Sequence, residues 1–298
     1  MIEKIKKLNP FKYSRKSEHA TPEAETTARE ARKLNITQRR DISKYWSARI
    51  RLACECPDNT KIERVAAAGS RQGDIQILHN GIKIARHSYH GPHMERLLIK
   101  NKGVHEPQEE VIFQEVIKHV HAGSTMLELG CYWAFYSIWF QKSVKNAVNF
   151  MVEPEIGSLF AGKTNFYLNG CEGQFINGYI ASKTIPKAFD IPTYCVDDLM
   201  IKNNIKNLSI LHSDIQGAEY EMLLGADQSI NARKIDFIFI STHSDHLHSV
   251  CIKHLLEKQY DIVAEHTLEE SYSWDGLIVA KRKEIIDLSA ITISKRKI

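Results

Sequence analysis

Two carboxylates, Glu128 and Glu153, stand where an α/β sheet does chemistry. Each closes an apolar run, Met126-Leu-Glu-Leu129 and Val148-Asn-Phe-Met-Val-Glu153, and one turn, Gly130-Cys-Tyr-Trp-Ala134, lies between them. Strand-end acids around a glycine turn suit a ligand with a ribose: glycine lets the backbone come close, and the second acid accepts hydrogen bonds from the ribose hydroxyls. A dinucleotide needs Gly-x-Gly-x-x-Gly here to cradle its pyrophosphate, and this turn has one glycine; no Gly-x-x-x-x-Gly-Lys-Ser/Thr loop occurs either. A ligand with ribose and no phosphate fits, and S-adenosylmethionine is the candidate. On this reading Glu128 and the backbone near Gly130 hold the methionine end. Tyr132 and Ser137 stand beside them, Glu153 holds the ribose, and Asn177 and Tyr179 border the adenine.

A second group of residues suits an acceptor. Asp214 closes the apolar run 208–213 and is followed by Gln216-Gly217, a tight turn; it can orient an acceptor, take a proton or bind a metal. His243, Asp245, His246 and His248 crowd the next strand end. Histidine titrates near neutrality, so His243, and after it His246, are candidate bases for a hydroxyl. Carboxylate plus imidazole is also a sound ligand set for a divalent metal. His248 is expected on the solvent side of the following helix. Glu219 is expected to complement a helix dipole, as are the acids of His105-Glu-Pro-Gln-Glu-Glu110, among which Glu106 or Glu109 is the alternative lid over the ligand.

The elements that must position these residues follow from periodicity. Strands are predicted at 125–129, 148–152, 174–180, 208–213 and 236–242, with helices at 109–121, 135–144, 155–169, about 217–225 and 246–258. A closing hairpin joins 260–265 to 276–280. Alternation argues for a parallel sheet covered by helices on both faces, with ligands at the C-terminal strand ends. Before it lie a helix at 37–56, stopped by Pro57, and a hairpin over 74–88 signalled by Asn80-Gly81. The expected organisation is a basic arm over 1–35, a small α+β cap over 36–104, the ligand-binding domain over 105–285 and a tail over 286–298.

Composition narrows the class. Apolar residues at 43% and charged residues at 26% are ordinary for a globular chain, and no apolar run reaches the length of a membrane span. The first residues lack the apolar stretch of a secretory leader, and six scattered cysteines suit reduced thiols, so a cytoplasmic protein is expected. Residues 1–40 hold eleven Lys or Arg against five Glu, whereas the whole chain is only +4. Such an arm suits peripheral contact with an anionic membrane surface.

Four pieces, in order, resemble the FkbM-type family of S-adenosylmethionine-dependent methyltransferases over about residues 105–282. They are Leu127-Glu-Leu-Gly130 with Phe135-Tyr-Ser137, Val152-Glu-Pro154 with Asn165 and Asn169, Val196-Asp-Asp-Leu199, and Ser213-Asp-Ile-Gln-Gly-Ala-Glu219 with Leu224-Gly-Ala226. The resemblance implies a class I methyltransferase fold, a Rossmann-like sheet of seven strands with the last antiparallel. It also implies O-methylation of a sugar, glycan or related natural product. The chain departs from the family at Tyr132 and Ala134, where asparagine and glycine are usual. Two other functions compete with this one. A nucleic-acid methyltransferase acting on a base amino group is disfavoured, because Ser213-Asp-Ile-Gln216 stands where Asp/Asn-Pro-Pro-Tyr/Phe is expected. The other is an adaptor that binds the cofactor without turnover.

Overall fold

The computed structural model describes residues 36–188 and 191–297. The basic arm over 1–35 lies outside the described residues. A seven-stranded sheet runs through the centre, made of β4 (Thr125–Leu129), β5 (Val148–Glu153), β6 (Gln174–Asn177), β10 (Leu208–Ser213), β11 (Ile235–Thr242), β12 (Tyr260–His266) and β13 (Gly276–Arg282). Its order is β12-β13-β11-β10-β4-β5-β6. Neighbours pair in parallel except at β13, which is antiparallel to both β11 and β12. This is the α/β, Rossmann-like arrangement expected, with the last strand reversed. The chain moves outward from β4 through β5 to β6, then returns to place β10 on the other side of β4. The strand order therefore reverses between β4 and β10, and the ends of these strands open a crevice.

Strand residues alternate between two cores. Met126, Ile210, Phe237 and Phe239 face one side, with α3 (Pro107–Val116), α4 (Phe135–Ser143) and α5 (Ile156–Leu168). Leu127, Leu129, Leu211, Ile238 and Ile240 face the other. There they meet α6 (Val196–Lys202), α7 (Glu219–Leu224), α8 (Asp227–Asn231) and α9 (Asp245–Glu257). The same alternation fixes the polar floor of the site. Glu128 pairs in register with His212, and both share the first face with Met126 and Ile210.

The N-terminal cap covers that first face. It comprises α1 (Ile36–Glu55), a small sheet of β1 (Arg71–Gln72), β2 (Ile75–Ile77) and β3 (Lys83–Ala85), and α2 (Gly91–Lys100). Ile50, Ala53, Leu78, Met94 and Leu97 are continuous with the sheet's own core. Two asparagines of α5 complete the edge of β3: Asn165 Oδ1 accepts from the Ala85 amide at 2.9 Å, and Asn169 Oδ1 from the Lys83 amide at 2.9 Å. Residues 286–297 are strapped across the cap, where the Ser294 amide donates to Asp58 at 2.7 Å.

Local expectations differ from the structure in three places. The strand predicted over 174–180 breaks: β6 stops at Asn177, and Tyr179 starts a second small sheet formed by β7 (Tyr179–Ile180), β8 (Ile185–Ala188) and β9 (Ile191–Tyr194). Gly178 makes that switch. The helix predicted over 109–121 begins at Pro107, whose missing amide costs nothing at a first helical position, and its regular part ends at Val116. The helix predicted from 246 begins at Asp245, because the Ser244 hydroxyl accepts from the Leu247 amide at 3.1 Å as its cap.

Candidate active site

A cavity of about 340 Å³ opens at the switch between β4 and β10. Its floor is built by strand ends. Glu128 is 4% exposed, and its Oε2 accepts from the Ser137 amide at 3.1 Å, at the start of α4. Burial pushes the Glu128 carboxyl up to about 7, against the pull of His212 and Ser137. Glu153 closes β5. Its Oε2 accepts from the Tyr132 amide at 3.1 Å and its Oε1 from the Glu155 amide at 2.9 Å.

The turn after β4 is held in an uncommon shape. Gly130, Tyr132 and Ala134 all have positive φ, at 73°, 40° and 59°. This explains the pattern at the two positions where the chain departs from its resemblance: asparagine and glycine tolerate the left-handed region better than tyrosine and alanine. Gly130, which lines the cavity, has a task beyond the one expected: a Cβ there would lie 1.9 Å from the Asp214 carbonyl oxygen, so glycine also permits the contact between two strand ends. Tyr132 and Trp133 line the cavity. Phe135, Trp139 and Phe140 are buried in the core.

Asp214 lines the same cavity, one strand over, and His243 lies behind it. His243 Nε2 is 3.2 Å from Asp214 Oδ1 and 3.5 Å from Asp275 Oδ1, while Nδ1 is 2.6 Å from Glu219 Oε1. Burial opposes charge on the ring, but the contacts to Asp214 and Glu219 prevail and raise its pKa to about 10. Burial likewise opposes charge on Asp214, and the His243 contact overrides it, lowering the carboxyl to about 2. Asp214 is one-third exposed. Gln216 Nε2 lies 2.7 Å from His243 Nε2 and donates to Asp214 Oδ1 at 3.0 Å. His243 is therefore an imidazolium at neutral pH, not the base expected from its ordinary pKa. It positions Asp214, and Glu219 positions it.

Other expected site residues lie elsewhere. His246 is exposed on α9, while His248 is buried between Thr242 Oγ1 at 3.0 Å and Glu265 Oε2 at 3.2 Å. His246 faces outward and His248 inward, the reverse of the expectation. Asn177 spends its amide on the carbonyls of Glu153 and Pro154, both at 2.9 Å, and Tyr179 is 47% exposed; neither lines the cavity. Ser137 contributes its backbone amide and is buried beneath the floor. The proposed carboxylate–imidazole metal set is not assembled, since His243 uses both nitrogens on carboxylates and His246 points away. Among the described residues no group of three or more His, Cys, Asp or Glu is arranged to hold a metal ion.

Apart from Glu106, the alternative lid, the roof was missed in the sequence. Tyr45, Trp46 and Arg49 come from α1, Tyr89 and His90 from the cap, Glu106 from the start of α3, and Trp274 and Asp275 from the β12–β13 loop. A buried chain of charges supports it: Arg49 to Glu106 at 3.1 Å, Glu106 to His105 at 3.2 Å, His105 to Glu110 at 2.6 Å and Glu110 to His79 at 3.0 Å. Burial opposes charge on His105, yet Glu106 and Glu110 raise it to about 10. Glu109 reaches His212 at 2.7 Å, so it braces the floor rather than covering the ligand.

With this geometry in hand, the chain matches the methyltransferase FkbM domain over residues 46–265. It belongs to that family. It is thus an S-adenosylmethionine-dependent methyltransferase, and the match reaches back through the cap, further than the motifs at 105–282. No curated protein matches the chain. Among solved structures it is similar to precorrin-6y C5,15-methyltransferase from Geobacter metallireducens, with 13% identity and a TM-score of 0.41 over 58% of this chain and 88% of that one. It is also similar to TrmK of M. capricolum in complex with S-adenosylhomocysteine, with 15% identity and a TM-score of 0.38 over 58% and 68%.

The floor fits the family's cofactor. Glu128, Glu153 and Glu155 make it acidic, which suits a ligand carrying a sulfonium and an ammonium. A cavity of about 340 Å³ is within the range of small-molecule sites.

Proposed function

We propose that this FkbM-type methyltransferase transfers a methyl group to a hydroxyl of a sugar, glycan or related natural product. The observation that carries this is the placement of Asp214: an ionised carboxylate, fixed by His243, faces the same cavity as Glu128 and Glu153. Glu153 would hold the ribose hydroxyls, and Glu128 with the turn at Gly130 the methionine end. When bound, the cofactor supplies an activated methyl on sulfur. The chain's own task is to align the acceptor and take its proton.

Asp214 does both. Its oxygen accepts a hydrogen bond from the acceptor O–H and aims the oxygen's lone pair. As the acceptor oxygen takes the methyl it would become strongly acidic, and Asp214 would take its proton. A protonated ether is far more acidic than a carboxylic acid, so a carboxylate with a pKa of about 2 still accepts this proton. No base titrating near neutrality is needed.

The acceptor class rests on the roof. Aromatic rings and carboxylates together suit polyhydroxylated rings, while the carboxylates Glu106, Asp214 and Asp275 oppose a polyanion such as nucleic acid. The basic arm over 1–35 is proposed to bring the enzyme to an anionic membrane surface. A test uses tritium-labelled S-adenosylmethionine with methyl glycosides, oligosaccharides and bulk tRNA. Label should enter the sugars, and Asp214→Asn should abolish transfer while S-adenosylhomocysteine still binds. Label entering tRNA alone would overturn the acceptor class.

A further inference from the structure

Arg49 Nε, Tyr136 Oη, His212 Nδ1 and Trp274 Nε1 are buried polar atoms on residues lining the cavity, without a hydrogen-bond partner among the described residues. Buried polar groups are rarely left unpaired, and a cluster of them around one cavity marks where a ligand's polar atoms belong. Two of these residues, Arg49 and Trp274, belong to the roof. They come from segments more than 220 residues apart, joined where the Arg49 guanidinium donates to the Ser273 carbonyl (|i−j| = 224).

The loop carrying Trp274 is shaped to present it. Trp274 has φ of 93°, a strained conformation for a non-glycine residue that persists only where the surroundings impose it. The surroundings are visible. The Ser271 hydroxyl accepts from the amides of Ser273 at 2.9 Å and Trp274 at 3.0 Å. The indole stacks on Tyr45 of α1, with ring centres 4.8 Å apart and planes 13° from parallel. Trp46 adds a second indole to the lining.

We infer that α1 and the β12–β13 loop form the acceptor seat, and that it selects an uncharged sugar ring. The inference rests on the hydroxyl-methyltransferase reading above and adds which end of the cavity the acceptor occupies and what charge it carries. The indole and phenol rings cover the apolar C–H face of a pyranose. Trp274 Nε1 and Arg49 Nε donate to its oxygens, and Glu106 accepts from its hydroxyls. Arg49 supplies no free positive charge for an anion, because its guanidinium is already paired with Glu106 at 3.1 Å. Asp214 and Asp275 at the same end repel one.

The test compares methyl α-mannopyranoside, methyl β-glucopyranoside and methyl α-rhamnopyranoside with methyl glucuronide and glucose 1-phosphate. It uses the full chain and labelled S-adenosylmethionine. Label should enter at least one neutral glycoside, and the anionic sugars should take up none. In Trp274→Phe, which keeps a ring on Tyr45 and removes the donor, the acceptor KM should rise about tenfold with the Kd of S-adenosylhomocysteine unchanged. Tryptophan emission of the wild-type protein, saturated with S-adenosylhomocysteine, should change on adding the neutral glycoside and not the anionic one. Preference for the anionic sugars, or an unchanged KM in Trp274→Phe, would overturn the seat. So would the absence of both transfer and emission change with every neutral glycoside. Failure of S-adenosylhomocysteine itself to bind would instead overturn the reading of the floor.

Discussion

His243→Gln tests the electrostatic core of the site. In the folded protein the ring is flanked by Glu219, Asp214 and Asp275, and its pKa rises from an ordinary 6.5 to about 10 although burial works against its charge. A raised pKa contributes stability that is complete below about 6.5 and is lost as pH climbs to 10. Asp214 runs the other way: its share is complete above its ordinary 3.8 and is lost as pH falls towards 2. The pair therefore stabilises the fold most between about pH 4 and 6.5. Each pKa unit corresponds to about 1.4 kcal/mol, so the His243 shift sets a ceiling on the order of 5 kcal/mol. Breaking a buried pair by removing one partner costs about 3–5 kcal/mol, because the other charge stays buried. The two shifts describe one interaction and do not add. Glutamine keeps the volume and leaves the carboxylates facing one another, so a loss of about 3 kcal/mol or more is expected at pH 6. Urea unfolding of both proteins at pH 6, 8 and 9.5 measures it. The wild type should lose stability across this range, and the gap to the variant should narrow. If the two curves fall in parallel, the ring is not charged in the fold and the argument fails.

Three further outcomes are expected. Glu128, raised by burial to about 7, must ionise to meet a cationic cofactor, so affinity for S-adenosylmethionine should increase with pH up to about 7, by at most about tenfold per unit. Calorimetry should find proton release at pH 6, and Glu128→Gln should flatten the dependence; an equal slope in the variant would exclude Glu128 as its source. Glu153→Ala should weaken S-adenosylmethionine binding by about 1.5–3 kcal/mol with the fold intact, and unchanged affinity would remove the ribose assignment. A chain starting at Thr37 should keep its cofactor affinity and lose sedimentation with anionic vesicles at low salt, since each basic residue near such a surface contributes about 1 kcal/mol. Equal sedimentation of the two proteins would leave the arm without this role.

What the sequence showed, and what it did not, divides along a physical line. Glu128, Glu153 and Asp214 were legible because each ends a strand, and in a parallel sheet strand ends converge on the switch point whatever the loops do. The roof was not legible. Tyr45, Arg49 and Trp274 have no local pattern that points to one another, and only the packed cap brings them together. Helix phase was the next loss: His246 and His248, about 200° apart around α9, take the sides opposite to those expected. Protonation was the last. The chemistry of His243 depends on Glu219 and Asp275, one 24 residues before it in the chain and the other in the β12–β13 loop. Residue type suggested a neutral base, and the neighbours make a cation. On the proposed reading the proton-accepting role then passes to Asp214, which His243 keeps ionised and which lines the cavity. That assignment follows because a forming ether needs only a weak acceptor for its proton, held in line by a rigid charge behind it.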